Sequence, residues 1–202
     1  MIDKIQVFTF LFLMLGPFKV IGPFGKITRG ADPALTRQIA VRATLFSSIC
    51  LLLAAVMGNV ILKRFGIPLP ILALSGGIVL FLVALLNIIQ QFAPTTTNVE
   101  NVSAPTLNMA MYPIAFPTIV TPYGIAAVIV FLAVCPDLRS QLNVGAIVLG
   151  IMALNLIIML ITRHIFKFLS FFLAILGAIL AVVQVALGLL IIYNQFRALL
   201  EL

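Results

Sequence analysis

The strongest constraint on this chain is a sixfold alternation of long apolar runs and short polar breaks. The apolar runs cover residues 5–23, 39–62, 69–92, 111–134, 144–161 and 169–193, with polar punctuation at 26–38, 63–68, 93–108, 136–143 and 162–167. Each run has about the 17–25 residues that a helix needs to cross the ~30 Å hydrocarbon core of a bilayer. A membrane β-strand would be about half as long and would alternate in polarity; these runs do not. The pattern predicts an all-α membrane protein with six transmembrane helices. Composition points the same way. Only 8% of the 202 residues are charged, against about 25% in a soluble domain that must face water. That excludes a soluble globular protein, a disordered chain and a nucleic-acid-binding domain, despite a sequence pI near 10.0. Six spans leave no room for a soluble catalytic domain. The net charge of +7 is assigned to anionic lipid headgroups and to span orientation.

The first run is read as a retained span. Lys4 precedes it, but no small-x-small cleavage site follows, and Gly16-Pro17-Phe18-Lys19 interrupts it. Cys50 and Cys135 are too few and too far apart for a disulfide framework or a zinc site; both read as small buried apolar residues. No cofactor is called for. Basic residues divide almost evenly between the two membrane faces. Lys4, Lys63, Arg64, Arg139 and Arg197 fall on one side, and Lys26, Arg29, Arg37, Arg42, Arg163 and Lys167 on the other. The basic loop at 26–42 favours the cytoplasm for the second set, which places both termini outside.

The chain also reads as a duplicated half. Span one contains Pro17, then Gly22-Pro23-Phe24-Gly25; span four contains Pro117, then Thr121-Pro122-Tyr123-Gly124, so that Pro-aromatic-Gly recurs at an offset of 99. Gly76-Gly77-Ile78 in span three aligns with Gly177-Ala178-Ile179 in span six at an offset of 101, and Arg37 with Arg139 at 102. Three spans per half is an odd number, so the halves, 1–92 and 111–202, would insert in opposite orientations as an inverted repeat. Proline removes a backbone donor and clashes with the carbonyl four residues back. Pro17 and Pro23 in span one, and Pro113, Pro117 and Pro122 in span four, therefore predict two broken helices at matching positions. Such breaks point to a substrate site near the bilayer midplane; structural kinks that let helices cross are the alternative.

At these residues the sequence resembles a known family. Phe65-Gly-Ile-Pro-Leu-Pro-Ile-Leu-Ala-Leu-Ser-Gly-Gly-Ile-Val-Leu-Phe81 is similar to the third-span signature of the MarC family (UPF0056). Pro113-Ile-Ala-Phe-Pro117-Thr-Ile-Val-Thr-Pro122-Tyr-Gly124 resembles its fourth-span signature, and Gly16-Pro17 to Pro23-Phe24 its Asp-Pro-x-x-Asn-x-Pro segment. The resemblance covers essentially the whole chain. It implies a six-helix inner-membrane protein related to LysE-type amino-acid exporters, with neutral amino-acid transport associated with at least one branch. The chain departs from the family pattern at Gly16, Lys19, Gly22 and Leu74. Three of these lie in the candidate site, so the resemblance does not fix the substrate.

The site residues follow from this pattern. Lys19 is the only ionisable residue clearly inside a span, where a central lysine costs roughly 2.5–3.5 kcal/mol. It either faces a cavity, where it would meet an anionic group such as a carboxylate, or snorkels to the headgroups. Pro17, Gly22, Pro23, Pro117 and Pro122 form the breaks; Thr118, Thr121 and Tyr123 add hydroxyls; Asn155 and Gln184, near mid-span, are further candidates. Taken singly, Ser75, Asn87, Asn155 and Gln184 each read first as interhelical glue, and Ala73-x-x-x-Gly77 and Gly177-x-x-x-Ala181 read as close-packing stripes. His164, beside Arg163, reads as solvated. The acidic residues Asp3, Asp32, Glu100, Asp137 and Glu201 all fall outside the spans, which leaves no intramembrane carboxylate for a proton relay. The expected function is a carrier or exporter of small neutral or zwitterionic metabolites. A passive pore, a structural membrane protein or a membrane thiol carrier are the alternatives, the last weakened because span one lacks a cysteine. The bilayer and a small-molecule substrate are the expected partners, nucleic acid is not, and the small size is compatible with a homodimer.

Overall fold

The computed structural model describes residues 4–92, 105–135 and 137–200. Asp3, Glu100, Glu201, Pro136 and the 93–104 part of the central loop lie outside the described residues, as do the side chains of Arg163, His164 and Lys167. Within these bounds the fold is all-helical. Helix α1 (Lys4–Leu15) and helix α2 (Phe18–Ile27) are separated by Gly16 and Pro17, and together they make one span, Val7–Ile27. Helix α3 (Pro33–Phe65) and helix α4 (Leu69–Phe92) follow. A tight turn at Leu107–Ala110 leads into a wide, irregular helical segment, Met111–Ile119, and then into α5 (Pro122–Val134). The last element, α6, runs from Leu138 to Leu200. Among the described residues, five helices are long and apolar enough to cross a membrane, or six when the bent pair Leu107–Ile119 and Pro122–Val134 counts as one span.

Local chemistry sets these boundaries. Pro33 opens α3 at its first turn, where its missing N–H is not needed. Gly66, at φ 62°, ends α3 in the left-handed conformation that favours glycine. At 33 residues α3 is about 50 Å long, so it extends past the ~30 Å hydrocarbon core. The apolar run at 39–62 marks only its membrane part. Its buried face repeats every three to four residues through Thr36, Ala40, Ala43, Ser47, Leu51 and Ala55, while Leu45 and Val56 on the other face are 62% and 66% exposed. Such a face suits lipid rather than water. Ahead of α6, the Asp137 carboxylate accepts from the Ser140 amide and hydroxyl at 3.0 and 2.7 Å. Those bonds hold its pKa below the ordinary 3.8.

Two expectations need correction here. Residues 162–167 were to separate spans five and six as a break, yet the backbone stays helical through them, because this stretch holds neither Gly nor Pro. Even so, α6 is not one rod. Asn155 donates to the Leu15 carbonyl and Gln184 to the Leu13 carbonyl, acceptors only two residues apart. A straight helix would carry those two side chains ~43 Å apart. The chain therefore doubles back between them, which gives two spans, Leu138–Thr162 and Gly177–Leu200. The second correction concerns small-residue packing. A Cβ on Gly77 would lie 2.8 Å from Ile191, and one on Gly188 would lie 2.9 Å from the Phe81 backbone, whereas one on Gly177 would meet nothing within 4 Å. The close α4–α6 seam runs through Gly77 and Gly188, and Gly177 is not part of it.

Candidate functional site

The site is built on the broken end of α1. The last four carbonyls of a helix have no partner within it, and in a membrane each must find one in protein or water. Here Pro17 has no N–H to offer the carbonyl four residues back, Leu13. Gly16 sits so close that a Cβ on it would fall 2.0 Å from the Phe12 carbonyl oxygen, so only glycine fits the turn. Three polar side chains then supply the missing donors. Gln184 Nε2 donates to the Leu13 carbonyl at 3.1 Å. Lys19 Nζ donates to the Met14 carbonyl, and Asn155 Nδ2 donates to the Leu15 carbonyl at 2.8 Å. Successive carbonyls of one helix end are thus met from span six, from α2 and from span five.

Span four closes the same junction. Thr121, only 6% exposed, caps α5 by accepting from the Gly124 amide at 3.1 Å. This cap points Tyr123 inward, where its hydroxyl accepts from Lys19 Nζ at 2.8 Å. The ammonium also lies 4.7 Å from the Tyr123 ring centre, within cation–π range. A Cβ on Gly124 would fall 2.5 Å from Leu15 Cδ2, so the first turn of α5 rests directly on the last turn of α1. Inside span four the chain bends by 62°. Ahead of that bend, within Met111–Ile119, Tyr112 and Phe116 leave helical geometry, and both are followed by cis prolines. The Thr118 hydroxyl donates to the Pro113 carbonyl at 2.8 Å. A cavity of about 210 Å³ opens beside Tyr123, walled by Phe10, Met14, Gly76, Ala126 and Gln195 among others.

Electrostatically the junction is simple. Among the described charged side chains Lys19 alone is not exposed, and its ammonium sits at the C-terminal end of α1, where the helix dipole favours a cation. The described acids, Asp32 and Asp137, are both exposed.

Of the residues singled out by sequence, Pro17, Lys19, Thr121, Tyr123, Asn155 and Gln184 converge here. The others do not. Pro23 lies in the middle of α2 without breaking it, although it offers no N–H to the Lys19 carbonyl four residues back. Pro23 and Gly22 are half-buried, and a Cβ on Gly22 would meet nothing within 4 Å. The side chains of Pro117 and Pro122 are exposed, and Thr118 bonds only back to its own segment. Ser75 and Asn87 are exposed too, and the Ser75 hydroxyl turns back to the Leu72 carbonyl. Sequence reasoning missed the Leu13, Met14 and Leu15 carbonyls as acceptors and Gln195 as a cavity wall. Counting four residues back from Pro17 would have found the first of these; Gln195 lay beyond the expected end of span six.

One consequence is measurable. Gln184→Leu leaves the Leu13 carbonyl without a donor, and interhelical hydrogen bonds in bilayers average ~0.6 kcal/mol, with a maximum near ~1.7. We expect a loss of about 1 kcal/mol, seen as a lower melting temperature in detergent. A variant melting with the wild type would show the bond contributes nothing.

Comparison with known proteins agrees with this architecture. Residues 3–200 match the profile of the MarC family, described as integral membrane proteins. A UPF0056 membrane protein of Methanocaldococcus jannaschii is 30% identical over 139 residues, 68% of this chain and 67% of its own length. One from Aquifex aeolicus is 27% identical over 142 residues, 69% of this chain and 63% of its own length. A second from Methanocaldococcus jannaschii is 27% identical over 202 residues, 93% of this chain and 87% of its own length. No solved structure is a significant match. With its membrane-length helices, its broken spans and a family match over nearly all of its length, the chain belongs to the MarC family of multi-pass integral membrane proteins.

Proposed function

We propose that this protein is an alternating-access secondary carrier or exporter for small neutral or zwitterionic metabolites, amino acids foremost. It would sit in the inner membrane, related to LysE-type exporters and built as two inverted three-helix repeats, 1–92 and 111–202. The observation that carries the reading is the Lys19–Tyr123 hydrogen bond. It joins the broken ends of spans one and four, 104 residues apart, beside a cavity of about 210 Å³. A kink that merely let helices cross would need neither a charge nor a cavity.

In this reading the N-terminal turns of α2 and α5 offer amides and positive dipole potential to a substrate carboxylate. The Lys19 ammonium exchanges the Met14 carbonyl for that carboxylate, and the small-residue wall at Gly76 and Ala126 accepts the rest of the molecule. Rocking of the repeats about the junction exposes the site to each side in turn.

Counterflow tests this. Proteoliposomes preloaded with unlabelled neutral amino acids should transiently accumulate the external radiolabelled species above its equilibrium level. A pore would equilibrate the label with no overshoot, and a structural protein would not admit it. Either result would refute the carrier reading.

A further inference from the structure

Helix α3 carries an exposed stripe that changes character once along its length. Leu45, Ile49, Leu52 and Val56, spaced three and four residues apart, are all exposed, and a stripe of this kind on a membrane-length helix faces acyl chains. N-terminal to Leu45 the same stripe turns basic. Arg37, Gln38 and Arg42 are exposed, and with Ala34 and Val41 they line a surface recess of about 440 Å³. At about 100° per residue, Arg37 and Arg42 stand about 140° apart around the helix, with Ala34, Val41 and Leu45 in the sector between them. The recess thus has a small apolar floor with an arginine on either side, and it opens onto the lipid-facing stripe. Its depth follows from the helix rise. Arg42 and Lys63 are ~32 Å apart along α3, which matches the ~30 Å hydrocarbon core. Arg42 therefore marks one edge of that core, and Arg37 stands ~8 Å further out, among the headgroups. Among the described residues no carboxylate lines the recess. The first turn of α3 holds no acid, and Asp32 precedes it at the N-cap. Lys26 and Arg29, exposed on the same membrane face, add to the positive potential there.

We propose that the Arg37–Arg42 recess binds one anionic phospholipid, its phosphate held between the two guanidiniums and an acyl chain laid along Val41, Leu45, Ile49 and Leu52. The planar fork of arginine bonds phosphate oxygens in pairs, which a lysine ammonium cannot do. A dissolved phosphate would meet the same two charges but would leave the apolar floor and the stripe below it without a partner. A phospholipid fills both halves at once, and this continuity selects lipid over a free anion. A zwitterionic lipid would bring its own cationic group up to two arginines, so the site favours a headgroup with net negative charge. The site belongs to one recess on one helix, and so differs from the general attraction of a basic chain to an anionic membrane. It needs no transport activity, and it would stand if the protein proved to be a pore.

Native mass spectrometry and thermal melting of the full chain test this. Wild type purified in detergent is titrated with dioleoyl phosphatidylglycerol, dioleoyl phosphatidylcholine or inorganic phosphate. One phosphatidylglycerol should stay bound and raise the melting temperature saturably by a few degrees, while phosphatidylcholine and inorganic phosphate do neither. Arg37→Gln combined with Arg42→Gln should weaken that retention about tenfold. Lys63→Gln combined with Arg64→Gln removes the same charge from the other end of α3 and should retain the lipid as the wild type does. Equal losses in the two double variants would overturn the proposal, since charge alone would then explain the binding. So would a wild type that holds phosphatidylcholine as firmly as phosphatidylglycerol, or one that inorganic phosphate stabilises as much as the phospholipid. Should the arginine double variant give no folded protein, Arg42→Gln alone takes its place with a smaller loss expected, and retention equal to the wild type would refute the site.

Discussion

Gly188→Val is expected to lower the melting temperature by several degrees and to reduce the folded yield. A Cβ at this position would lie 2.9 Å from the Phe81 nitrogen and Cα, atoms that no rotamer change can move away. On the other side of the seam a Cβ on Gly77 would lie 2.8 Å from Ile191 and 3.4 Å from the Gly188 carbonyl, so α4 and α6 meet backbone to backbone. Water offers no driving force between helices in lipid, and association rests on close van der Waals packing. Overfilling a well-packed contact costs typically 1–3 kcal/mol, and the rigid partner here puts Gly188→Val at or above the top of that range. For a chain of this length that is a drop of roughly 5–10 °C in melting temperature, with a smaller monodisperse peak on size exclusion. Gly177→Val is the matched control. It adds the same atoms to the same helix where nothing lies within 4 Å, and it should melt with the wild type. Equal losses in the two variants would show that the damage is to helix propensity and not to a seam.

That contrast also shows where the sequence stops informing. Both glycines stand in apolar helical stretches, and the internal offset of 101 favoured Gly177, since it aligns with Gly76. Only the doubling back of α6 decides which one faces α4, and no local pattern encodes it. Features fixed by solvation were legible. The third hydropathy segment and α4 share the bounds Leu69–Phe92, because the length of an apolar run is set directly by the membrane. The break at Pro17 was legible for a similar reason, since a missing N–H is a property of the residue itself. Pro23 was over-read: α2 runs through it without a break. The candidate site was half legible. Lys19, Tyr123, Asn155 and Gln184 stand out by residue type in an apolar chain, but their acceptors are backbone carbonyls of Leu13, Met14 and Leu15, and a carbonyl carries no side-chain signature. The cavity wall was illegible for a related reason. Gly76 and Ala126 look like packing residues, and they are packed, with a Cβ on Gly76 falling 2.9 Å from the Ala126 Cβ. Their smallness also leaves room beside Tyr123.

The second large effect is expected at Lys19. In the substrate-free protein its ammonium bonds the Met14 carbonyl and the Tyr123 hydroxyl, and in the carrier reading it then bonds the substrate carboxylate. A hydrogen bond to a charged group is worth about 1.5–3 kcal/mol, so its loss should lower exchange by roughly ten- to a hundredfold. Tyr123→Phe removes one neutral acceptor and should cost less. The experiment that decides the central claim is counterflow of radiolabelled neutral amino acids in proteoliposomes, with wild type and Lys19→Met reconstituted at equal monodisperse content. The wild type should overshoot, and Lys19→Met should give a signal near background. A wild type without overshoot, or a Lys19→Met variant that exchanges at the wild-type rate, would contradict it.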